Sequence, residues 1–337
     1  MTVVRPSTPH GDRNRALVTG ATGYIGSHLV PSLRRAGYSI VALVRDESRA
    51  ARLGEGVELF VGDLTRPETL VGLERGVDVV VHCASDLGKW GTPDSRVHAV
   101  NVQGAIDLLR RFRESGLRRF VHLSAGGVTG PTQPRVVDET CDCKPATIYE
   151  RTKLLAERRL LELALAWDVP LLVVRPTFTY GPGDPHKLPL FRAVQRGRYA
   201  FIGGGQSVNH PVFIDDVVRG ILLALERGRP GEVYILGGPE PVTKRQLVHA
   251  IADGLGVKRP RASVPRWLAM IAAWNLEWLG RLLRFPPILT RSRVLMMTGN
   301  FGYSIAKARA ELGYAPEIGL AEGIAAAVRS YEGEGRL

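Results

Sequence analysis

Cysteine, acidic residues and long apolar runs are scarce in this 337-residue chain, and each scarcity excludes a class of protein. Three cysteines, Cys83, Cys141 and Cys143, are too few and too poorly spaced for a disulfide framework, so we expect a reduced, cytoplasmic setting. Cys141 and Cys143 could begin a zinc site, but no second ligand pair follows at metal spacing, and we predict no metal. No run of about 18 uncharged apolar residues occurs, so we expect no membrane-spanning helix.

Acidic residues are outnumbered by basic ones, 33 against 45, which gives a formal net charge of +12. The arginines are scattered through segments with the pattern of exposed helix faces. This distribution favours a solvated basic surface over a specific polyanionic partner, and we predict no nucleic-acid partner.

What the sequence does contain is a glycine-rich turn between a short apolar run and a helical pattern. Residues 16–27, ALVTGATGYIGS, place Gly20, Gly23 and Gly26 at three-residue intervals. Glycine allows a tight turn and a close approach to a pyrophosphate, whose negative charge the free amides of a helix start favour. Three glycines alone also mark ordinary turns, but after a first strand they predict a dinucleotide site.

Strand and helix patterns alternate from this turn onward, which predicts a parallel sheet with helices on both faces. Continuous Val-rich runs are typical of strands buried on both faces. The later predicted strands cover residues 39–45, 57–64, 77–85, 118–125, 171–177 and 231–238, and predicted helices cover 26–36, 101–115 and 149–167. The predicted fold class is α/β, a Rossmann doubly wound parallel sheet with a smaller discontinuous C-terminal substrate domain.

Beyond the sixth strand, prolines and shorter elements predict a second domain. We expect a disordered tail over 1–14, a dinucleotide-binding domain over 15–178 plus 208–238, and a substrate-binding domain over 179–207 plus 239–331. The substrate domain would lie against the carboxyl ends of the strands, where open α/β sheets bind ligands.

The second strand ends in Arg45 and Asp46. An acidic residue at this point of a dinucleotide fold would hold ribose hydroxyls, whereas an arginine would accept a 2′-phosphate. Arg45 comes before Asp46 at the end of the strand, so the arginine is the better placed of the two, and this order favours NADP. In the alternative, Arg45 is solvated and Asp46 holds the ribose of NAD.

Tyr149 and Lys153 are four residues apart at the start of a predicted helix, so their side chains share one face. An ammonium beside a phenol lowers the pKa of the phenol and makes it usable as an acid or base near neutral pH. The spacing alone also fits an exposed helical pair. Because the pair follows the strands and helices of a predicted dinucleotide-binding fold, it predicts a catalytic role. Residues 122–130, HLSAGGVTG, lead into a loop where a hydroxyl could bond a substrate carbonyl.

These motifs together resemble the extended short-chain dehydrogenases/reductases over residues 15 to about 330. They occur in order as TGATGYIG, GDL, HCAS, NVQG, YxxxK, RPTFTYGPGD, FIDDVV and KARAELGYAP. Within that superfamily, which includes the NAD-dependent epimerases/dehydratases, the segments GKWG and PPILTRSRV are most similar to the 3β-hydroxysteroid dehydrogenases and bacterial ketoreductases. The resemblance implies a homodimer formed through the helix that bears Tyr149 and its neighbour.

The resemblance also implies roles for individual residues. Tyr149 would be the general acid/base, and Lys153 would bind the nicotinamide ribose and lower the pKa of the tyrosine. The implied cofactor-binding residues are Gly20, Thr22, Gly23, Tyr24, Ile25, Gly26, Arg45, Asp63, Leu64, Cys83, Ala84, Ser85, Asn101, Tyr149, Lys153, Pro176 and Thr177.

One position departs from the family pattern, because the usual catalytic Ser or Thr is Ala125 here and the nearest serine, Ser124, precedes it. Successive strand residues point to opposite faces, so a shift of one residue matters. Three accounts stay open: the loop shifts and Ser124 serves as the third catalytic residue, Thr177 or Thr179 substitutes, or the donor is missing.

Residues 267–283, WLAMIAAWNLEWLGRLL, are apolar apart from Asn275, Glu277 and Arg281. They predict a core or lid helix over an apolar substrate, or an amphipathic helix that makes peripheral contact with a membrane.

The predicted function is that of an NADP-dependent oxidoreductase, a ketoreductase or hydroxyl dehydrogenase. Its substrate would be a lipophilic sterol-, terpenoid- or polyketide-like alcohol or ketone. The alternatives are a sugar-nucleotide epimerase/dehydratase with tightly bound NAD, and a non-catalytic cofactor-sensing protein.

Overall fold

The structure, a computed structural model, describes residues 14–131, 135–283 and 285–337, without the side chains of residues 49, 51 and 52. The predicted disordered tail therefore lies, except for its last residue, outside the described residues.

The central sheet has seven parallel strands, and the six that follow β1 are each shorter than their predicted ranges, β4 by the most. They are β1 Arg15–Thr19, β2 Ser39–Val44, β3 Val57–Val61, β4 Val79–His82, β5 Arg119–Leu123, β6 Leu171–Pro176 and β7 Val233–Leu236. Their order is β3-β2-β1-β4-β5-β6-β7, which confirms the Rossmann doubly wound fold. The direction of winding reverses between β1 and β4, and ligands of such sheets bind outside the carboxyl ends of the strands at that point.

Helices flank this sheet and continue past its last strand. They are α1 Tyr24–Arg35, α2 Asp94–His98, α3 Gly104–Arg111, α4 Ile148–Ala166, α5 Leu188–Gln195, α6 Ile214–Arg227, α7 Lys244–Gly254, α8 Arg266–Leu283, α9 Arg291–Thr298, α10 Ala306–Leu312 and α11 Leu320–Gly333. The helix predicted over 101–115 differs most, because it starts as a π-helical turn, Ala99–Gln103, and ends at Arg111.

Short strand pairs connect the later segments to the sheet domain. Three pairs are parallel and one is antiparallel: Phe178–Tyr180 with Pro211–Phe213, Phe201–Ile202 with Ser263–Val264, Val136–Val137 with Gly302–Tyr303, and, antiparallel, Val208–Asn209 with Val242–Thr243.

Apolar side chains cover both faces of the sheet, as the Val-rich strands predict. Val18 of β1 packs in one core with Leu29 of α1, whereas the next residue back, Leu17, packs in the other core with Leu109 and Leu160. Alternate residues of one strand therefore enter different cores, and the strand has no solvated face.

Helix α4, which carries the predicted catalytic pair, is fixed at two points. At its start the Glu150 amide donates to Thr147 Oγ1 at 3.2 Å, while Glu150 Oε2 accepts from the Thr147 amide at 3.0 Å, a reciprocal capping box. Further along, Arg175 of β6 donates from Nε to Glu157 Oε2 at 3.0 Å and from Nη2 to Oε1, and both side chains are buried. The ion pair joins α4 to the sheet beside the predicted site.

We predict that Glu157→Gln lowers the free energy of unfolding by about 3–5 kcal/mol, because Arg175 is left as a buried, uncompensated charge. Urea unfolding monitored by circular dichroism measures the change. The matched control is Arg159→Ala, which removes an exposed 2.9 Å pair with Glu162 on the same helix and should cost less than about 1 kcal/mol. Equal losses in the two variants would show that the buried pair does not hold α4 in place.

Candidate active site

A cavity of about 2010 Å³ lies at the carboxyl ends of the strands. Its walls are the loops that follow β1 to β6, the start of α4, and residues of α8 and α9. Pockets for a single small ligand are typically about 300–1,000 Å³, so this cavity has room for a dinucleotide together with a substrate.

The glycine turn forms one end of the cavity, and its close contacts require glycine. Gly20 has φ +67°, and a Cβ there would lie 2.7 Å from the backbone nitrogen of Ala84; a Cβ on Gly26 would lie 2.2 Å from the Gly20 oxygen. Helix α1 starts at Tyr24, two residues before the predicted start, and its N-cap Gly23 adds no side chain over the first amides. The turn therefore fits a pyrophosphate at the helix start.

The predicted cofactor residues, apart from two, line this one cavity. Those in its wall are Gly20, Thr22, Gly23, Tyr24, Ile25, Gly26, Arg45, Asp63, Leu64, Cys83, Ala84, Ser85, Tyr149, Pro176 and Thr177. The structure brings them together from five strand ends, although whether each contacts a cofactor stays a prediction. Lys153 and Asn101 are buried behind the wall.

Asn101 connects two elements of the site. Its Nδ2 donates to the Asp86 carbonyl oxygen at 2.9 Å and to Thr152 Oγ1 at 3.0 Å, and its Oδ1 accepts from the Asp86 amide at 2.7 Å. The side chain thus links the loop after β4 to α4. Its predicted cofactor contact remains a prediction.

Arg45 is exposed at the end of β2, and the neighbouring acidic residue is engaged elsewhere. Asp46 accepts hydrogen bonds from the amide and hydroxyl of Ser48, at 2.9 and 2.7 Å, and caps the 3₁₀ turn that follows. Partial burial opposes ionisation of Asp63, but hydrogen bonds from Thr65 and the charge of Arg45 lower its pKa. Arg45 is therefore the basic group at this end of the cavity.

Tyr149 and Ser85 both line the cavity, and the Ser85 side chain lies near enough to influence the pKa of the Tyr149 phenol. Burial raises the pKa of Tyr149 to about 12, with a smaller opposing effect from Ser85 and a reinforcing one from Glu150. Lys153 is not among the groups that shift this pKa, so the effect expected of its ammonium stays a prediction. The phenol keeps its proton at neutral pH.

Lys153 is surrounded by buried histidines, which the sequence did not indicate. Its Nζ is 3.5 Å from His122 Nε2, and the His122 ring stacks on His82 at 5.2 Å between centroids. His82 Nδ1 in turn lies 2.7 Å from Thr19 Oγ1. Burial lowers the pKa of Lys153 to about 8, that of His82 to about 3 and that of His122 well below its usual range, so the two histidines are neutral.

The candidate hydroxyl donors differ in their partners. Thr177 Oγ1 donates to the His210 carbonyl oxygen at 2.6 Å, and Thr179 Oγ1 donates to the Thr177 oxygen at 3.3 Å. Ser124 lines the cavity, and within the part of the chain that the structure describes its buried Oγ has no hydrogen-bond partner. Because Thr177 and Thr179 use their hydroxyl hydrogens within the protein, Ser124 stays the candidate donor, and its role remains a prediction. Ser85, which the sequence indicated only as a cofactor residue, is a second hydroxyl beside Tyr149.

The cysteines Cys83, Cys141 and Cys143 are free thiols. Among residues 14–131, 135–283 and 285–337, no group of three or more His, Cys, Asp or Glu side chains is arranged to hold a metal ion.

The model of the NAD-dependent epimerase/dehydratase family matches residues 16–237. The chain belongs to this family. It is 33% identical, over 92% of its length and 94% of the relative, to the 4-hydroxy-2-methyl-3-oxo-4-farnesyl-3,4-dihydroquinoline-1-oxide ketoreductase of Stigmatella aurantiaca. It is 27% identical, over 94% and 91% of the two chains, to the decarboxylating sterol-4-alpha-carboxylate 3-dehydrogenase of Mus musculus.

Among solved structures, the crystal structure of gox2253 matches with a TM-score of 0.82 and 31% identity, over 96% of this chain and 99% of that one. The expected extended short-chain dehydrogenase/reductase membership is thus confirmed, and the protein is an NAD(P)-dependent oxidoreductase.

For this family member we predict that Ser124→Ala lowers kcat by about 10²–10³, the usual effect of removing one donor to a developing oxyanion. Thr179→Val, which changes a hydroxyl already used by the backbone, should leave kcat within about threefold. Steady-state rates of oxidation of the reduced nicotinamide cofactor measure both effects. Wild-type kcat in the Ser124 variant would overturn its assignment, and a larger loss in Ser85→Ala would transfer the role to Ser85.

Proposed function

We propose that this protein is an NADP-dependent ketoreductase or hydroxyl dehydrogenase acting on a lipophilic, sterol-, terpenoid- or polyketide-like substrate. The observation that carries the proposal is the environment of Tyr149, a protonated phenol at the wall of a large cavity that Ser124 also lines. A protonated phenol suits the reduction direction, in which the carbonyl oxygen gains a proton.

The glycine turn, whose positions admit no Cβ, and the open start of α1 fit the pyrophosphate of a nicotinamide dinucleotide. When bound, such a cofactor supplies or accepts a hydride. The protein supplies the proton transfer. Tyr149 gives its proton to the substrate oxygen in reduction and takes a proton from that oxygen in oxidation. Ser124 Oγ donates a hydrogen bond to the same oxygen, and Lys153, held near His122, supports the ribose end of the cofactor.

The substrate part of the cavity supports an apolar ligand. Three of the basic side chains there are engaged by the protein: Arg291 pairs with Glu277 at 2.9 Å, Lys244 donates to the Met296 and Gly299 carbonyl oxygens, and Arg293 donates to two backbone oxygens. The remaining wall there is largely apolar, with Leu190, Leu247, Met270, Leu295, Met297 and Phe301. The farnesylated-quinoline ketoreductase and sterol dehydrogenase relatives support the same substrate class.

The rival function is a sugar-nucleotide epimerase/dehydratase, which the family name includes. A cofactor-consumption assay discriminates, because only an enzyme that recycles its cofactor continues without added nicotinamide. We expect NADPH oxidation stoichiometric with reduction of a lipophilic ketone, and a loss of about 10²–10⁴ in kcat for Tyr149→Phe, which removes the proton donor.

Turnover of a sugar nucleotide with no added cofactor would overturn the proposal in favour of the epimerase. An unchanged rate in Tyr149→Phe would refute the proposed mechanism. Cofactor binding without turnover of any ketone, alcohol or sugar nucleotide would favour a cofactor sensor.

The preference for NADP rests on Arg45, because the Asp46 carboxylate caps the turn that follows. We predict that Arg45→Ala raises the Kd of NADPH about tenfold or more, the effect of one charge-assisted contact to the 2′-phosphate. The Kd of NADH should change less than about twofold, and isothermal titration calorimetry measures both. Arg35→Ala, an exposed arginine at the far end of α1, is the control. Equal changes for the two cofactors would contradict phosphate recognition by Arg45.

We also propose a homodimer formed through α4 and α3, supported by two exposed leucines of α4, Leu155 and Leu165. The free thiols support a reduced, cytoplasmic setting for the enzyme.

A further inference from the structure

Helix α8 has one buried face and one broad apolar face that is exposed. The buried residues recur at helical spacing and are Ala269, Ala273, Glu277 and Gly280. On the opposite side, eight large apolar side chains each expose 37% or more of their surface: Trp267, Leu268, Ile271, Trp274, Trp278, Leu279, Leu282 and Leu283. Such a contiguous apolar patch is uncommon on the surface of a soluble monomer and marks a binding surface.

The charge around this face is of one sign. Between residues 254 and 300 the sequence carries eight arginines and lysines but one carboxylate, Glu277, which is buried and paired with Arg291. Arg266 begins the helix and Arg281 lies in its last turn, both exposed. Past the helix, Arg293 donates to the carbonyl oxygens of Pro287 and Ile288, beside the 85% exposed Ile288 side chain. Basic groups thus stand at both ends of the apolar face.

The composition of the face matches the interfacial region of a bilayer. Three of the five tryptophans of the chain, Trp267, Trp274 and Trp278, lie on it, and tryptophan is enriched where apolar and polar layers of a membrane meet. Within the described residues, no helix is long and apolar enough to cross a membrane. A helix with an apolar face and flanking basic residues lies in the interface plane.

We propose that the exposed face of α8 docks on the surface of a membrane rich in anionic lipid, with its tryptophans at the headgroup boundary and its arginines on the headgroups. A second copy of the chain fits less well, because a two-fold contact through this face would bring the same basic flanks together. The inner side of α8 lines the cavity through Met270 and Glu277, so docking places the cavity beside the lipid layer. The inference stands whether or not the proposed substrate is right.

Vesicle binding by the full-length protein tests the proposal, with neutral phosphatidylcholine vesicles compared against vesicles containing phosphatidylglycerol. We expect flotation with the anionic vesicles and a blue shift of tryptophan emission. The combined change of Trp267→Ser, Trp274→Ser and Trp278→Ser should weaken partitioning on the order of tenfold or more. Combined Arg266→Gln, Arg281→Gln and Arg293→Gln should weaken binding to anionic vesicles on the order of a hundredfold, since each basic residue near such a surface contributes about fivefold.

The matched control is Val61→Ser with Val71→Ser, which removes two exposed apolar side chains, one at the end of the edge strand β3 and one in the segment that follows it, and should leave binding unchanged. Absence of wild-type binding to either vesicle, or unchanged binding in the tryptophan variant, overturns the proposal. A wild-type dimer that becomes monomeric in the tryptophan variant, with no vesicle binding, assigns the face to a second copy instead. Circular dichroism of each variant separates lost binding from lost folding.

Discussion

The buried ion pair between Glu157 and Arg175 is the interaction on which the geometry of the active site depends. A buried charge is strongly destabilising unless its partner is in direct contact with it. The pair therefore permits only a narrow range of positions of α4 relative to β6. Tyr149 and Lys153 lie in the two turns of α4 before Glu157, and the capping box at Thr147 and Glu150 fixes where those turns begin. The helix that bears the predicted catalytic pair is thereby held at the carboxyl ends of the strands, where the glycine turn also lies.

Burial decides the protonation states at that edge. It raises the pKa of Tyr149 to about 12 and lowers that of Lys153 to about 8, so both shifts favour the neutral form of the group. The histidines behind Lys153 stay neutral for the same reason. A phenol that holds its proton suits the delivery of a proton to a carbonyl oxygen, and Ser124 lines the same cavity.

Helix α8 packs on the protein with one face and exposes an apolar surface with the other. Small residues such as Ala269 and Ala273 let it pack closely on the body of the protein, while its tryptophans point away from it. The sequence predicted a lid or a membrane-surface helix as alternatives. The structure supports elements of both, because the inner side lines the cavity and the outer side is apolar and exposed.

The sequence by itself determined the fold and the location of the site, because these depend on local features. Strand and helix periodicity, the glycine turn at Gly20 and the four-residue spacing of Tyr149 and Lys153 are readable within short segments. Only the tertiary structure decided the direction of the Tyr149 pKa shift, the engagement of Thr177 by His210, and the placement of His122 beside Lys153. Each of these depends on burial or on a contact between residues distant in the chain, which no local pattern records.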